Sequence, residues 1–394
     1  MGLLDNVSRR SFLKTGALGG IGAFLSACLS QNAPTSSAAT ATSAATAAAT
    51  TAPVATAINW KVQSGWAGND IFQTMFTNWA NSVNEMSGGR LKIDTLPVNS
   101  VTNINAAIDA VSAGTIDGAH HVPAYYYGKD HAVSLFGTGP MMGMSTANWL
   151  AWFYYGGGQD LYTKIMQTKL KLNVVSFAAG WAGHNQPLGW FKEVIKSPDD
   201  FKGMKFRTVG LATGIYQFMG ASVISVAGSE VASSLDRGVI DAAEFNNPTS
   251  DTVYGLPDVR KIMMAQSYHQ PSEMLFIDIN KAKWDALPKD LQAIVKWATI
   301  AGAADGEWLL QAKNADDFAN LQKKGINIQK TPQNVLNAQL DAWDKVIADE
   351  SKNNPDFVAV LASQRAWAEK VFPWTSTIDI KTPDQLSFDR RPKA

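Results

Sequence analysis

Cysteine is nearly absent: the 394-residue chain holds one, Cys28. With a single thiol close to the N-terminus, the body of the chain has no disulfide, no cysteine nucleophile and no cysteine metal site. A surplus of one charge is also missing. Lys plus Arg and Asp plus Glu each number 34, and no basic patch stands out, so no nucleic-acid partner is expected. Beyond the N-terminal segment no apolar run reaches the about 18 residues that a membrane span requires. No His-Glu-x-x-His, Gly-x-Ser-x-Gly or P-loop pattern occurs. The five histidines, His120, His121, His131, His184 and His269, are not spaced like a zinc pair on a helix. His120 and His121 adjoin at a strand end, where their side chains would face opposite ways. The glycines of 137–143 lack a helix-opening pattern, and those of 16–22 belong to the segment considered next.

The first thirty residues carry the strongest local signal. Ser8-Arg9-Arg10-Ser11-Phe12-Leu13-Lys14 has the form of a twin-arginine export motif. The weakly apolar run 15–24 that follows is too short for a membrane span and contains four glycines, each costing a helix interior about 1 kcal/mol relative to alanine. Leu25-Ser26-Ala27-Cys28 then has the pattern of a lipoprotein processing box. The expectation is a periplasmic protein, exported folded through the twin-arginine route and tethered by a lipid on Cys28, its only hold on a membrane. Residues 29–57 are rich in Ala, Thr and Ser. They form a flexible linker that spans on the order of 30 Å.

From residue 58 onward the length suits two lobes, and the pattern alternates between strand and helix. Strands are expected at 58–64, 90–96, 115–122 and 172–178, with helices at 70–86, 103–112 and 147–155. In 70–86, Ile71, Phe72, Met75, Phe76, Trp79, Val83 and Met86 share one face. In 90–96, Leu91, Ile93 and Thr95 face one way and Lys92 and Asp94 the other. The rhythm repeats with strands at 188–194, 204–208, 221–226 and 240–245 and helices at 212–219 and 229–237. Residues 273–279 read as a strand returning to the first lobe. A helix over 289–323 would be roughly 50 Å long, enough to lie across both lobes. Helices at 335–351 and 355–371 precede a tail. The fold class is α/β, with mostly parallel sheets and helices on both faces. The expected parts are a signal (1–28), a linker (29–57), lobe 1 (58–180 plus about 273–310), lobe 2 (181–272) and C-terminal helices with a tail (311–394).

Three features could hold a ligand. Arg207 ends the strand Lys205-Phe206-Arg207, where a guanidinium can clamp a carboxylate through two parallel hydrogen bonds; a plain surface arginine is the alternative. Glu244 ends a largely apolar strand, and a carboxylate buried there needs a partner such as Arg207 or a metal ion; a solvated strand end is the alternative. The stretch Trp181–Phe191 packs amides and aromatics at the predicted crossover between lobes, where hinge clefts bind ligands; it could equally be a surface loop. The 13 tryptophans and nine tyrosines suit either a ligand cleft or core.

Four stretches carry a family resemblance: Ser87-Gly88-Gly89-Arg90-Leu91, Tyr127-Gly128-Lys129, Phe201–Arg207 and Leu235–Glu244. In order and spacing the chain resembles the extracytoplasmic solute-binding proteins of TRAP transporters, DctP type, over about residues 58–330. Gly156–Tyr162 and Gln186–Phe191 resemble the branch that binds 2-oxo acids or lactate with a metal ion. The resemblance implies a two-lobed periplasmic solute-binding fold with a hinge cleft, spanned by the long helix, and no enzymatic activity. It implies that Arg207 holds the carboxylate of a small organic acid such as pyruvate or lactate. It implies that Gln186, Glu244 and the Phe245 carbonyl hold a cation, Na⁺ or Ca²⁺ by its oxygen donors. Asn185, Tyr126 and Trp66 are weaker candidates for lining the cleft. The implied partners are TRAP permease membrane subunits and a second copy of the chain, paired through the C-terminal helices. Pro187-Leu188 and Phe245 depart from the branch's usual residues and bear on substrate size. The rivals are an exported cofactor-containing enzyme and a periplasmic sensor or scaffold component.

Overall fold

A computed structural model describes residues 57–181 and 185–378. The export motif, Cys28, nearly all of the linker, residues 182–184 and the tail after 378 lie outside the described residues. The strands in chain order are β1 (Ile58–Ser64), β2 (Leu91–Leu96), β3 (Gly118–His121), β4 (Val174–Trp181), β5 (Gly189–Phe191), β6 (Lys205–Arg207), β7 (Ser222–Ile224), β8 (Ala242–Ala243), β9 (Ile262–Met264), β10 (Met274–Asn280) and β11 (Asn327–Gln329). They form a five-stranded sheet, β2-β1-β3-β10-β4, and a six-stranded sheet, β11-β9-β5-β8-β6-β7. Each sheet is parallel except for one strand. In the first the exception is β10, antiparallel to β3 and β4. In the second it is β5, antiparallel to β8 and β9. These two strands are where the chain arrives after its two direct crossings, β4 to β5 and β9 back to β10. The return of 273–279 to the first sheet is thus realised in β10.

The helices follow from caps and periodicity. The first sheet carries α1 (Ile71–Met86), α2 (Ile104–Ala113), α3 (His131–Ser134), α4 (Thr146–Tyr155) and α5 (Gly158–Thr163). Asp70 caps α1 by accepting from the Phe72 N–H, and Asn103 caps α2 by accepting from Ala106. Gly114 ends α2 in the left-handed conformation, which costs glycine nothing. On α1 the expected apolar face is buried from Ile71 to Val83, but Met86 is half exposed because the helix stops at once beyond it. The second sheet carries α6 (Ala212–Phe218), α7 (Val231–Asp236), α8 (Pro248–Val253) and α9 (Leu256–Val259). After β10 come α10 (Lys281–Asp285), α11 (Lys289–Lys323), α12 (Gln333–Glu350) and α13 (Pro355–Ile378).

The 35-residue α11 joins the lobes. Leu291, Val295 and Ala298 enter a core with Trp60, Val62, Phe76 and Trp79 of the first sheet and α1. Leu321, near its other end, enters the core around Trp190, Val231 and Ile240 of the second. Two hydrogen bonds fix its register: Trp79 Nε1 donates to Thr299 Oγ1 at 3.0 Å, and Thr249 Oγ1 donates to Asn314 Oδ1 at 3.0 Å. Helices α12 and α13 close over the remaining faces. Trp343 and Val346 of α12 and Phe357 and Val360 of α13 join one core that also holds residues of α4, α5 and α6. Each large side chain buried this way contributes about 1.5–3 kcal/mol. Many of the aromatics are spent here, in a packed group that includes Phe136, Trp149, Trp152, Phe153, Tyr162 and Phe276.

Three expectations need correction. Residues 240–245 form a ladder only at Ala242–Ala243, because the chain leaves the sheet at Glu244. The expected sequence pattern has no place for β9 and β11, each three residues long and too short for periodicity to declare. Helix α13 runs past Pro373 to Ile378, seven residues beyond the expected end at 371. At Gly189 the chain turns out of the crossing with φ +139°, and a Cβ there would lie 2.5 Å from the Ala243 carbonyl oxygen. Only glycine allows β5 to approach β8 so closely. Among the described residues, no helix is long and apolar enough to cross a membrane.

Candidate functional site

A cavity of about 160 Å³ lies between the two lobes. The first lobe lines it with Trp66 and Tyr125, and the second with Arg207, Val226, Phe245 and Tyr254. Arg207 reaches it from the end of β6, paired in register with Ile224 of β7 and Ala243 of β8. That places the guanidinium against the residue after β8. Its Nη1 donates to Glu244 Oε1 at 3.0 Å and to the Glu244 carbonyl oxygen at 3.2 Å, and its Nε donates to the Val226 carbonyl at 3.3 Å. Both side chains are buried, Arg207 with 3% exposure and Glu244 with none. The ring centroid of Phe245 lies 5.5 Å from Arg207 Cζ.

The chain can leave the sheet after Ala243 because Asp251 catches it. Asp251 Oδ1 accepts from the backbone N–H groups of Asn246 and Asn247, and its Oδ2 accepts from Trp190 Nε1 at 2.7 Å. Burial pushes the Asp251 carboxyl up to about 7 even so.

The crossing segments supply the rest of the cluster. Gln186 donates its main-chain N–H to the Gln270 carbonyl, and its Nε2 donates to Asn246 Oδ1 at 3.2 Å and to Glu273 Oε2 at 2.9 Å. His269 Nε2 lies 3.8 Å from Glu244 Oε2. The other ring nitrogen, Nδ1, lies 2.5 Å from Ser267 Oγ and 3.2 Å from the Tyr216 hydroxyl. Burial raises the Glu273 carboxyl well above its usual range, and the charge of Glu244 adds to that. Burial likewise raises the Tyr125 hydroxyl, with Glu273 the next contributor.

Several buried atoms of this cluster have no hydrogen-bond partner: Gln186 Oε1, Glu244 Oε2, Glu273 Oε1 and His269 Nε2. Buried polar atoms are normally paired, and leaving one unpaired costs about 1–3 kcal/mol. Oxygens left open beside an arginine suit a cation or a hydrogen-bonding ligand. Among the described residues no three His, Cys, Asp or Glu side chains converge as a metal site. A cation would therefore rest on a mixed amide, carboxylate and carbonyl set of hard oxygens.

The structure brings Arg207, Gln186 and Glu244 into one cluster, with Phe245 and Trp66 on the cavity wall. Two other candidates are elsewhere. Tyr126 is buried in the core with its ring 4.6 Å from His121, while Tyr125 faces the cavity. Both lie on the 3₁₀ turn Pro123–Tyr126, where neighbours point about a third of a turn apart. Asn185 is exposed and lines a separate groove with Pro187, Pro248 and residues of α11. Sequence patterning did not single out Glu273, His269, Asn246 or Tyr125. The one visible sign is Glu273, an acid just ahead of the apolar run Met274–Ile277.

The lobes are also joined beside the cavity. Ser250 Oγ on α8 donates to Asp70 Oδ2 at the cap of α1, at 2.6 Å, and the Ala67 N–H donates to the Tyr254 hydroxyl at 3.1 Å. Burial raises the Asp70 carboxyl from its ordinary 3.8 to about 6, although the hydrogen bonds from Ser250 and Phe72 lower it. Between these values the folded chain keeps a proton that the unfolded chain has released. This contribution to stability is full below the ordinary value and is lost as pH rises through about 6. In urea titrations, the stability of the wild type minus that of Asp70→Asn is expected to fall from about pH 4 to about pH 6 and then level off. A difference that does not change with pH would show that Asp70 is ionised in the folded chain throughout.

The sequence profile of the family described as DctP, bacterial extracellular solute-binding protein, family 7, matches residues 63–353. Over 317 residues the chain is 30% identical to a monocarboxylate 2-oxoacid-binding periplasmic protein of Nostoc sp., an overlap of 80% of this chain and 86% of that relative. Two TRAP periplasmic solute-binding proteins superpose with TM-scores of 0.77, one from Pseudoalteromonas atlantica with bound sodium and pyruvate, the other from Colwellia psychrerythraea with bound calcium and pyruvate. Each is 30% identical to this chain and covers 85% of it and 100% of its own length.

Proposed function

The chain belongs to the DctP family of solute-binding proteins that serve TRAP transporters, and we propose that it captures a small 2-oxo or 2-hydroxy acid, such as pyruvate or lactate, together with a cation, Na⁺ or Ca²⁺. It is a receptor and not an enzyme, as its matches are solute-binding proteins. The observation that carries the proposal is the buried Arg207 on the cavity wall, bonded to Glu244 Oε1, with Glu244 Oε2 and, in the adjoining hydrogen-bond cluster, Gln186 Oε1 left without a hydrogen bond. Relatives that hold pyruvate with sodium or calcium support the choice of ligand and ion.

In this scheme Arg207 takes the carboxylate through its guanidinium fork. Gln186 Oε1, Glu244 and the Phe245 carbonyl hold the cation. The bound cation supplies positive charge that the ligand's carboxylate and 2-oxo or 2-hydroxy oxygen share. Trp66 and Tyr125 cover the ligand from the first lobe, so that ligand contacts with both lobes favour the closed state. The bonds of Ser250 to Asp70 and Ala67 to Tyr254 add to closure without touching the ligand. The receptor then delivers the acid to the membrane subunits of a TRAP permease. Export through the Arg9-Arg10 motif and a lipid on Cys28 would keep it on the periplasmic face of that membrane.

The test is a thermal-shift screen of refolded protein against 2-oxo acids, lactate, dicarboxylates, sugar acids and amino acids, each with Na⁺, Ca²⁺ or EDTA. A ligand at 100 times its dissociation constant adds about 2.7 kcal/mol of stability. Stabilisation by a 2-oxo or 2-hydroxy acid is expected, and it should vanish when the cation is withheld. A folded protein that responds to none of the acids would contradict the proposal.

A further inference from the structure

We propose that Glu273 is a positioning residue: with Asn246 it fixes which end of the Gln186 side-chain amide faces the cation. The inference rests on the cation-assisted binding proposed above. An amide side chain keeps nearly the same shape when turned end for end, so its hydrogen-bond partners decide its orientation. Here the two partners are Asn246 Oδ1 at 3.2 Å and Glu273 Oε2 at 2.9 Å. Both are acceptors, and an amide has two N–H donors, so both donors are engaged on that side. The oxygen is then forced to the other side, and Gln186 Oε1 is the atom left without a partner. Turned over, the amide would lose both of these N–H donations and aim N–H groups at the cation.

The clamp has a rigid base. Glu273 is buried and immediately precedes β10, whose residues pair with β3 on one side and β4 on the other. Gln270, three residues earlier, accepts the Gln186 main-chain N–H at 3.1 Å. One short stretch, 270–273, thus holds both the backbone and the side chain of Gln186. Because the stretch lies on the crossing that returns to the first lobe, it ties the orientation of a second-lobe crossing residue to the first sheet. Groups that orient metal ligands in this way typically govern metal affinity by about 10- to 100-fold.

The test uses the full chain with Glu273→Met, which removes the acceptor at similar volume, and Glu273→Gln, which keeps an acceptor oxygen. The cation concentration for half-saturation is read by tryptophan fluorescence with CaCl₂ or NaCl at saturating pyruvate. The dissociation constant of pyruvate is then read at saturating cation. Glu273→Met is expected to raise the half-saturating cation concentration about 10- to 100-fold while changing the pyruvate constant at saturating cation far less. Glu273→Gln is expected to restore the wild-type cation value. If Glu273→Met does not fold, Asn246→Ala removes the other acceptor and carries the same expectation. A Met variant equal to the wild type overturns the inference. So does a Gln variant as impaired as the Met variant, which would make Glu273 a direct ligand. Pyruvate binding that ignores the cation in the wild type contradicts the cation site itself and is recognised before any substitution is made.

Discussion

Arg207→Ala is expected to lose binding of the organic acid by a hundredfold or more. Truncating one partner of a buried ion pair costs about 3–5 kcal/mol, and each 1.4 kcal/mol is tenfold in affinity. Arg207 has two tasks in this site. It faces the cavity where a carboxylate would sit, and its Nη1 holds Glu244 Oε1 at 3.0 Å with both side chains buried. Alanine therefore removes the ligand's partner and leaves the Glu244 carboxylate uncompensated, so affinity and thermal stability should fall together. Arg207→Lys separates the two effects. It keeps the charge beside Glu244 but not the fork, so stability should largely return while affinity stays low. Calorimetric titration checks the first part and thermal denaturation the second. An Arg207→Ala protein that binds as tightly as the wild type would remove Arg207 from the site.

The second large effect is expected from Glu244→Gln. Glutamine keeps the shape and an oxygen for Arg207 Nη1 to donate to, so the fold should persist. It removes the negative charge that a cation needs beside Gln186 Oε1. Cation affinity should fall by about a hundredfold or more, at or beyond the upper end of what an indirect contact is worth. The measurement is the difference in melting temperature between Ca²⁺ and EDTA at fixed pyruvate, which should be large in the wild type and nearly absent in the variant. An undiminished difference in Glu244→Gln would place the cation elsewhere or nowhere.

Much of the fold is legible in the sequence wherever one element carries its own pattern. The face of α1 is written in a 3.6-residue period that ends in a capping Asp70 and a Gly88-Gly89 stop. The limits of α11 follow from Pro288 and from Lys324-Gly325. Strands β9 and β11 were not legible, because three residues hold no period and their pairing is with each other and with β5. The site divides the same way. Arg207 and Glu244 declare themselves as charges at the ends of short strands, and each needs a partner if buried there. Gln186 carries no such sign of its own: it lies in the amide-rich stretch Trp181–Phe191, and family resemblance picks it out of that stretch. Glu273 and His269 stayed hidden because their meaning lies in contacts far along the chain: Gln186 meets Glu273 across 87 residues, where two crossings pass side by side. Tyr125 and Tyr126 show a finer limit. The sequence offers both, and only the phase of a single 3₁₀ turn decides which one faces the cavity.

The central claim is that one buried cluster binds a 2-oxo acid and a cation together. Isothermal titration of pyruvate into refolded, ligand-free protein tests it most directly, in three buffers: Na⁺, Ca²⁺, and EDTA without sodium. The account predicts one site per chain, tight in at least one of the cation buffers and lost in the third. Binding of equal strength in all three buffers, or no heat in any of them from a protein shown to be folded, would contradict it.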